Sequence, residues 1–223
     1  MKNVFNQFYK DYDEWYESVP GAYVDQVETS VLWELLNPIA GMEILDVGCG
    51  TGHQSMKLAH LGCRVTGIDI ASNMLKEAEK KNQCESLAVD FYEMNCEQMN
   101  FADDSFDAAI SMAALEFIQN PCGAFDEMRR VVKPGGSIVI GTIQKGGHWA
   151  KFYESEAFLG TAFAFARFLS LDDMYKFDKI GFDTFKECLF VSPEEPKESY
   201  TIQREQALST TGKKGGFLCV RFK

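Results

Sequence analysis

Short apolar runs alternate with amphipathic segments from residue 42 onward. The apolar runs are typical of buried strands, and they cover residues 44–47, 64–69, 89–94, 106–111 and 137–143. Helical patterns fill the gaps at residues 53–61, after Ser72 as a predicted N-cap, and after Asn120-Pro121 as a cap followed by a first-turn proline. Strands that are apolar on both faces and separated by helices predict a parallel sheet covered on both sides.

The carboxy-terminal part of the chain departs from this alternation. A helix is predicted from Ser170 to near Gly181, with strands following at residues 182–191 and 217–222. The polar connection between these two strands shows no helix of useful length. We therefore expect an antiparallel hairpin that closes one edge of the sheet.

Composition and length fit one globular domain, with 223 residues of which 46% are hydrophobic. No stretch approaches the roughly 20 apolar residues that a membrane helix needs. The first ten residues lack the apolar core of a secretory signal. These features predict a cytoplasmic protein with no membrane span.

Charge and metal-binding residue types narrow the function classes. The net charge is −11, from 33 acidic and 22 basic residues, which disfavours a nucleic-acid partner because phosphates would be repelled. The seven cysteines are odd in number and contain no C-x-x-C pair, and the three histidines share no ligand spacing. We expect a reduced protein without a metal.

A glycine-rich loop follows the first predicted strand, at residues 46–52 with the sequence Asp-Val-Gly-Cys-Gly-Thr-Gly. Glycines let a ligand approach the backbone, and the helix that follows offers free N–H groups. The second strand ends in Asp69, 19 residues beyond Gly50, where a carboxylate can accept hydrogen bonds from both ribose hydroxyls. The loop and the acid together predict a ligand that contains a nucleoside.

The spacing within the loop separates two cofactor classes. The dinucleotide fingerprint is G-x-G-x-x-G, whereas this loop is G-x-G-x-G followed by His53. Asp46 would repel a diphosphate but could attract an ammonium group, directly or through water. Both observations favour S-adenosylmethionine, whose methionine end carries an amine.

At this point the chain resembles the class I S-adenosylmethionine-dependent methyltransferases, in the type 11 branch that includes ubiquinone and menaquinone biosynthesis. Residues 44–52 are similar to the family's first motif almost letter for letter, and residues 67–75 are similar to its second. Residues 95–101 resemble the segment written D-A-x-x-L-P-F, and residues 129–136, Arg-Arg-Val-Val-Lys-Pro-Gly-Gly, resemble a later landmark.

The resemblance implies a role for each matching position. Gly48, Cys49 and Gly50 would line the methionine portion of the cofactor, with Asp46 just behind them; Asp69 would hold the ribose; Ile70 and Met74 would sandwich the adenine; Asn95 and the Cys96 backbone N–H would read the adenine edge; and Ser111 and Met112 would lie under the sulfonium. Asn95 stands where the family usually has aspartate, so its hydrogen bond to the adenine amino group would be neutral rather than charge-assisted.

The resemblance also completes the predicted architecture. We expect one α/β domain over residues 1–223, a Rossmann-like, doubly wound, seven-stranded and mostly parallel sheet with a C-terminal antiparallel strand and an N-terminal helical cap. The segments are a helical cap at 1–40, a cofactor-binding core at 41–143, a candidate lid at 144–170, and a closing helix and strands at 171–223.

Aromatic side chains cluster before the sheet and after its fifth strand. The clusters are Phe5, Phe8, Tyr9, Tyr12, Trp15 and Tyr16, and then His148, Trp149, Phe152, Tyr153, Phe158, Phe163, Phe165 and Phe168. Both would sit at the carboxyl ends of the strands, where open α/β sheets bind ligands. Tyr12, Trp15 and Trp149 are the predicted substrate or lid residues, and the predicted acceptor is a small molecule in an aromatic-lined pocket.

Candidate bases for the transfer are few. Glu116 follows the fourth strand near the expected rim of the site, and His148 lies in a glycine-containing stretch that could fold over it. Because no base is certain, the alternative is a non-catalytic S-adenosylmethionine sensor or partner subunit, and a less favoured one is an NAD-dependent oxidoreductase. The pattern predicts neither the acceptor atom nor the oligomeric state.

Overall fold

The computed structural model describes residues 4–7 and 9–223, so Phe8 lies outside the described residues. A seven-stranded sheet forms its centre. The strands are β1 (Glu43–Val47), β2 (Arg64–Asp69), β3 (Val89–Glu93), β4 (Phe106–Met112), β5 (Val132–Ile143), β6 (Phe182–Cys188) and β7 (Phe217–Phe222). They lie in the order β3-β2-β1-β4-β5-β7-β6.

The directions of the strands confirm the predicted fold class. Strands β1 to β5 pair in parallel. β7 lies between β5 and β6 and is antiparallel to both. The chain leaves β1 toward one edge through β2 and β3, and then returns to the other side of β1 through β4. This reversal places a crevice beyond the carboxyl ends of β1 and β4, where ligands bind in open α/β sheets.

Helices cover both faces of the sheet and precede it. They are α1 (Tyr9–Glu17), α2 (Val19–Leu36), α3 (His53–His60), α4 (Ser72–Glu85), α5 (Pro121–Val131), α6 (His148–Tyr153), α7 (Leu171–Tyr175) and α8 (Ile202–Ser209). Short 3-10 turns lie at Val4–Gln7, Leu115–Phe117, Glu156–Phe158, Ala162–Phe165 and Lys197–Ser199. Within the described residues, none of these helices has the length and apolar character that crossing a membrane requires.

Two helix starts show how well local signals work. The Asn120 side chain accepts a hydrogen bond from the Gly123 N–H at 3.1 Å, so the predicted cap before Pro121 is confirmed. The predicted cap at Ser72 is wrong, because Ser72 is the first helical residue and Ala71 occupies the N-cap without a side-chain hydrogen bond. The Asp69 carboxylate accepts the Ala71 N–H instead, at 2.7 Å.

The fifth strand starts earlier than its apolar pattern indicates. Val132 already pairs with Phe106, and regular pairing resumes at Ser137 opposite Ala108. Residues 133–136, predicted to end the preceding helix, form the irregular stretch between these pairs, with Gly135 at a φ of 83°. Glycine and proline therefore mark a bulge here rather than a separate loop.

The carboxy-terminal elements differ most from the prediction. The helix capped by Ser170 ends at Tyr175, well before Gly181. The connection between β6 and β7, predicted to lack a useful helix, contains α8 with the Thr201 hydroxyl as its cap. Only Glu205 and Leu208 of this helix are buried, so it lacks the apolar periodicity that would have revealed it.

Candidate functional site

A cavity of about 380 Å³ opens at the carboxyl ends of β1, β2 and β4. We call it the glycine-loop cavity. Its lining consists of Phe5, Tyr12, Gly48, Gly50, Ile68, Asp69, Ile70, Met74, Met94, Asn95, Cys96, Glu97, Met112, Ala113, Ala114, Phe117, Ile118, Gln119 and Phe165. Eight of the predicted cofactor residues are among them: Gly48, Gly50, Asp69, Ile70, Met74, Asn95, Cys96 and Met112.

The glycine loop holds its shape through backbone contacts. The N–H groups of Gly48 and Cys49 both donate to the Ile68 carbonyl, at 2.8 and 3.0 Å. Gly48 has a φ of 74°, and a Cβ there would lie 2.5 Å from the Cβ of Ala114. Only glycine combines that conformation with that closeness, so the loop can present bare backbone to a ligand.

Asp69 links the loop to the end of β2. Its carboxylate accepts the Gly50 N–H at 2.9 Å and the Ala71 N–H at 2.7 Å, one on each oxygen. Burial raises the pKa of Asp69, while these backbone N–H groups act in the opposite direction. Each carboxylate oxygen keeps a further lone pair, so both remain able to accept a hydroxyl proton from a ligand.

Two predicted cofactor residues lie behind the loop rather than on the cavity wall. Asp46 is 2% exposed and accepts a hydrogen bond from the Ser55 hydroxyl at 2.6 Å. Burial raises the pKa of Asp46 to about 7. The Cys49 side chain is also buried, close to Gly67 of β2. Neither side chain lines the glycine-loop cavity.

Among the residues predicted near the adenine and at the end of β4, some line the glycine-loop cavity and others are buried behind its wall. The Asn95 side-chain oxygen accepts the Glu97 N–H at 3.0 Å, which fixes the amide at the cavity wall. Met112 lines the cavity, whereas Ser111 is fully buried and donates to the Val47 carbonyl at 2.9 Å. Alternation along β4 explains this, since successive side chains point to opposite faces. Ser111 therefore supports β1 and does not line the glycine-loop cavity.

A second cavity of about 520 Å³ adjoins the first. We call it the aromatic cavity. Its lining is Phe5, Tyr12, Trp15, Tyr16, Pro20, Val24, Glu28, Ala113, Phe117, Ile143, Trp149, Phe152, Tyr153, Phe158, Thr161, Ala162, Phe163, Leu189, Pro193 and Tyr200. Phe5, Tyr12, Ala113 and Phe117 line both cavities and form their common wall.

The predicted substrate residues all reach the aromatic cavity. Tyr12 lines both cavities, and Trp15 and Trp149 line the aromatic one. Trp149 is 3% exposed and its indole N–H donates to the Val191 carbonyl at 2.9 Å, so the core fixes its position. Tyr153 and Phe163 stack with ring centroids 3.9 Å apart and extend the aromatic wall.

The structure brings neither predicted base to a cavity wall. The His148 ring lies 2.8 Å from the Leu189 carbonyl and lines neither cavity. Glu116 is 1% exposed and accepts the Ile143 N–H at 3.3 Å, while its other oxygen is buried without a partner among the described residues. Burial raises the pKa of Glu116 to about 7. Both side chains hold the ends of neighbouring segments together.

Glu28 is the acidic residue that sequence reasoning missed. It lies on α2, is half-buried, and lines the aromatic cavity. Burial raises its pKa well above the usual range, with the negative charges of Asp25 and Glu116 adding to that effect. A signal was present, because Glu28 shares a helix face with the buried Val24 and Leu32 at four-residue spacing.

The helical cap is fastened over the glycine loop by polar contacts. Asp13 of α1 accepts the Thr51 hydroxyl at 2.6 Å and the Lys81 ammonium at 2.7 Å. The His53 ring stacks on Tyr16 with centroids 4.2 Å apart. Asp13 therefore connects the cap to the loop and to α4.

The described part of the chain contains no cluster of side chains suited to bind a metal ion. Within residues 4–7 and 9–223, no group of three histidine, cysteine, aspartate or glutamate side chains could hold an ion. All seven cysteines of the chain are free.

Comparison with known proteins gives a consistent family. The family model described as "Methyltransferase domain" matches residues 45–140, which include the glycine loop and Asp69. An uncharacterized protein of Methanocaldococcus jannaschii is 31% identical over 206 residues, covering 89% of this chain and 93% of that protein. The malonyl-[acyl-carrier protein] O-methyltransferase of Buchnera aphidicola is 31% identical over 152 residues, covering 68% of this chain but only 59% of that enzyme.

Solved structures share the whole fold. A protein of Thermotoga maritima, described as an S-adenosylmethionine-dependent methyltransferase and possible histamine N-methyltransferase, superposes with a TM-score of 0.74. The alignment covers 100% of this chain and 99% of that chain at 22% identity. At this identity the likeness shows the fold alone.

Proposed function

This chain belongs to the class I S-adenosylmethionine-dependent methyltransferases, and from that membership we propose that it methylates a small molecule bound in the aromatic cavity. S-adenosylmethionine is the family's cofactor, so the oxidoreductase alternative no longer applies. The observation that carries the proposal is the common wall of the two cavities. A methyl group held on one side of Ala113 needs to move only a short way to reach the other side.

The proposed cofactor pose follows the lining of the glycine-loop cavity. Asp69 would accept both ribose hydroxyls on lone pairs that its backbone contacts leave free. Ile70 and Met74 would enclose the adenine, with Asn95 and Cys96 at its edge. Gly48 and Gly50 would face the methionine portion, which would direct the sulfonium toward Met112 and the common wall.

Methyl transfer from a sulfonium requires few catalytic groups from the protein. The sulfonium is already activated, so the enzyme mainly orients an in-line displacement and excludes water. The aromatic rings of Tyr12 and Phe117 in the common wall would help to hold the positively charged sulfonium, because ring faces attract a cation. The remaining rings of the aromatic cavity favour an apolar or aromatic acceptor.

The segments around the cavities would control access. The proposed cap, residues 1–40, supplies Tyr12, Trp15 and Glu28, and the proposed lid, residues 144–170, supplies Trp149 and Phe163. Both segments wall the aromatic cavity, which supports their assignment to acceptor binding. The negative net charge and the free cysteines support a cytoplasmic protein without a nucleic-acid substrate.

The test is formation of S-adenosylhomocysteine from S-adenosylmethionine with a panel of small amines, phenols, alcohols and carboxylic acids. We expect turnover with at least one apolar or aromatic member, and none with Asp69→Ala at the same cofactor concentration. Tight S-adenosylhomocysteine binding without turnover across the whole panel would instead favour the non-catalytic sensor or partner subunit.

A further inference from the structure

We propose that the acceptor is an apolar amine, held in the aromatic cavity by Glu28, and that Glu28 takes the proton that the amine must lose before methylation. The proposal rests on the proposed function, since it names the substrate class of that same site. It goes further by assigning the acceptor atom as nitrogen and by giving a residue outside the family motifs a direct role.

The wall of the aromatic cavity carries one carboxylic acid and no basic side chain. Glu28 is the only Asp or Glu among the described residues that line this cavity, and none of those residues is Lys, Arg or His. A carboxylate or phosphate acceptor would therefore find no counter-charge on this wall. A cationic group finds both a carboxylate and aromatic faces, the combination that recognises ammonium groups.

The Glu28 carboxyl makes no hydrogen bond among the described residues, although Asp25, one turn earlier on α2, is paired with Lys57 and His53. The Glu28 oxygens are not among the described side-chain atoms that are buried without a partner, so they can be reached from the cavity that Glu28 lines. An ammonium N–H in the cavity can therefore donate to this carboxyl.

Tyr12, Tyr16 and Tyr153 line the aromatic cavity together with Glu28. Burial raises the pKa of each of these tyrosines, and the Glu28 charge adds to that effect. A cation beside Glu28 would meet their faces as well, and so would the methylated product, which is also a cation.

The chemistry balances without another reactant. The positive charge of the bound ammonium favours the ionised form of Glu28, whose first proton passes to water, and the raised pKa of this carboxyl makes it a stronger base. The ammonium then gives one N–H proton to the carboxylate, which leaves a neutral amine with a lone pair. That lone pair forms the N–C bond to the methyl carbon as the S–C bond breaks, and the bonding electrons stay on sulfur. The products are a methylammonium ion and S-adenosylhomocysteine, and the proton on Glu28 passes to water when the product leaves.

The decisive experiment measures binding and turnover separately. Calorimetry on protein saturated with S-adenosylhomocysteine would compare 2-phenylethylamine with 2-phenylethanol, which share a skeleton and differ in the cationic group. We expect the amine to bind at least about tenfold more tightly, as a hydrogen bond between charged groups allows. Equal binding, or binding by neither, would overturn the proposal.

Variants on one helix assign the preference to one residue. Glu28→Gln keeps the shape and removes the charge, so it should abolish the amine preference, while Glu28→Asp should retain part of it. Glu34→Gln is the matched control, because Glu34 is an exposed residue of α2 that pairs with Lys186 away from the cavity. A preference that survives in Glu28→Gln would contradict the assignment.

The two proposals fail in different ways. Detection of S-adenosylhomocysteine with each ligand reports the methyl transfer itself. An amine preference that depends on Glu28, with no turnover of any panel member, would sustain the cation site and refute catalysis. Turnover of phenols or alcohols alone, with no amine preference, would sustain the methyltransferase and refute the amine assignment.

Discussion

The glycine-loop cavity is built around the carboxyl ends of neighbouring strands, whereas the aromatic cavity is built from side chains of segments that are far apart in sequence. In the first, Gly48 and Gly50 follow β1, and Asp69 ends the neighbouring β2. In the second, the wall comes from the cap and from the segment after β5, far apart in sequence. A site made at adjacent strand ends is specified by short motifs, and a site made from distant side chains can change its ligand without disturbing the sheet.

The common wall gives this difference a functional meaning. Phe5, Tyr12, Ala113 and Phe117 line both cavities, so the two cavities meet while most of their lining residues differ. Under the proposed function, substitutions on the two sides should therefore separate cofactor affinity from acceptor affinity.

Asp69→Ala should weaken ligand binding in the glycine-loop cavity and leave binding in the aromatic cavity unchanged. The substitution removes both proposed ribose hydrogen bonds and the acceptor for the Gly50 N–H. We expect S-adenosylhomocysteine to bind at least about 100-fold more weakly, since hydrogen bonds to a charged group contribute about 1.5–3 kcal/mol each. Calorimetry measures this, and Asp69→Asn should lose less because one oxygen remains.

The fold of the Asp69→Ala variant should survive, which circular dichroism can verify. An alanine variant that binds S-adenosylhomocysteine as tightly as the wild type would show that the ribose lies elsewhere.

Trp15→Ala should weaken acceptor binding and leave cofactor binding unchanged, the reverse of Asp69→Ala. Trp15 lines the aromatic cavity but not the glycine-loop cavity, and its side chain is 37% exposed, so truncation should not unfold the cap. We expect the KM of the best acceptor to rise about tenfold, which corresponds to about 1.4 kcal/mol, with cofactor affinity unchanged. Phe185→Ala on the edge strand β6 is the control, because Phe185 lines neither cavity. Equal losses in cofactor and acceptor affinity would mean that the cavities are not separable.

Glu116→Gln tests whether Glu116, unlike Glu28, affects stability but not acceptor binding. Burial raises the pKa of Glu116 from 4.5 to about 7, so the folded state keeps a proton that the unfolded state loses between these pH values. Stability therefore falls as the pH rises through this range, and the glutamine variant escapes that loss. We expect its stability relative to wild type to increase by at least about 1 kcal/mol between pH 4 and pH 8.

Denaturant unfolding at the two pH values measures this difference. The same variant should keep its acceptor preference, because Glu116 lines neither cavity. A flat difference between the two pH values would contradict the raised pKa of Glu116, and a lost acceptor preference would show that Glu116 reaches the site.

Asn95→Asp should have the smallest effect. The side-chain oxygen that accepts the Glu97 N–H remains in aspartate, and a charge would strengthen a hydrogen bond to the adenine amino group. We expect S-adenosylhomocysteine affinity to stay within about threefold of wild type or to improve. A large loss in a calorimetric titration would show that the adenine edge is read by other residues.

The glycine-loop cavity was predictable because parallel pairing converts sequence spacing into proximity. Gly48 follows β1 and Asp69 ends β2, and because these strands lie side by side, the motif alone places the two residues together. The direction of each side chain was harder to predict from the sequence. Ser111 and Cys49 are both buried behind the glycine-loop cavity, although their chain neighbours line it. The fold class followed from strand and helix alternation, whereas α8 escaped because its apolar face is small.

Glu28 shows what the motifs could not provide. It lies on a helix before the sheet, outside the matched region of residues 45–140, and only the folded chain places it on the wall of the same cavity as Trp149 and Phe163. Residues of both predicted aromatic clusters do line one cavity, and its use as an acceptor pocket stays a prediction. The position of its single carboxyl depends on how α2 packs against residues more than 100 positions away.

Simultaneous occupation of the two cavities is the claim on which the account depends, and thermal unfolding tests it directly. The protein would be heated alone, with S-adenosylhomocysteine, with 2-phenylethylamine, with both, and with NADH. At a hundredfold excess over its dissociation constant a ligand adds about 2.7 kcal/mol of stability, or roughly 5–11 °C for a domain of this size. We predict shifts with S-adenosylhomocysteine and with the amine that add when both are present, and none with NADH. A shift with NADH alone, or an amine that cancels the S-adenosylhomocysteine shift, would contradict two adjoining sites for cofactor and acceptor.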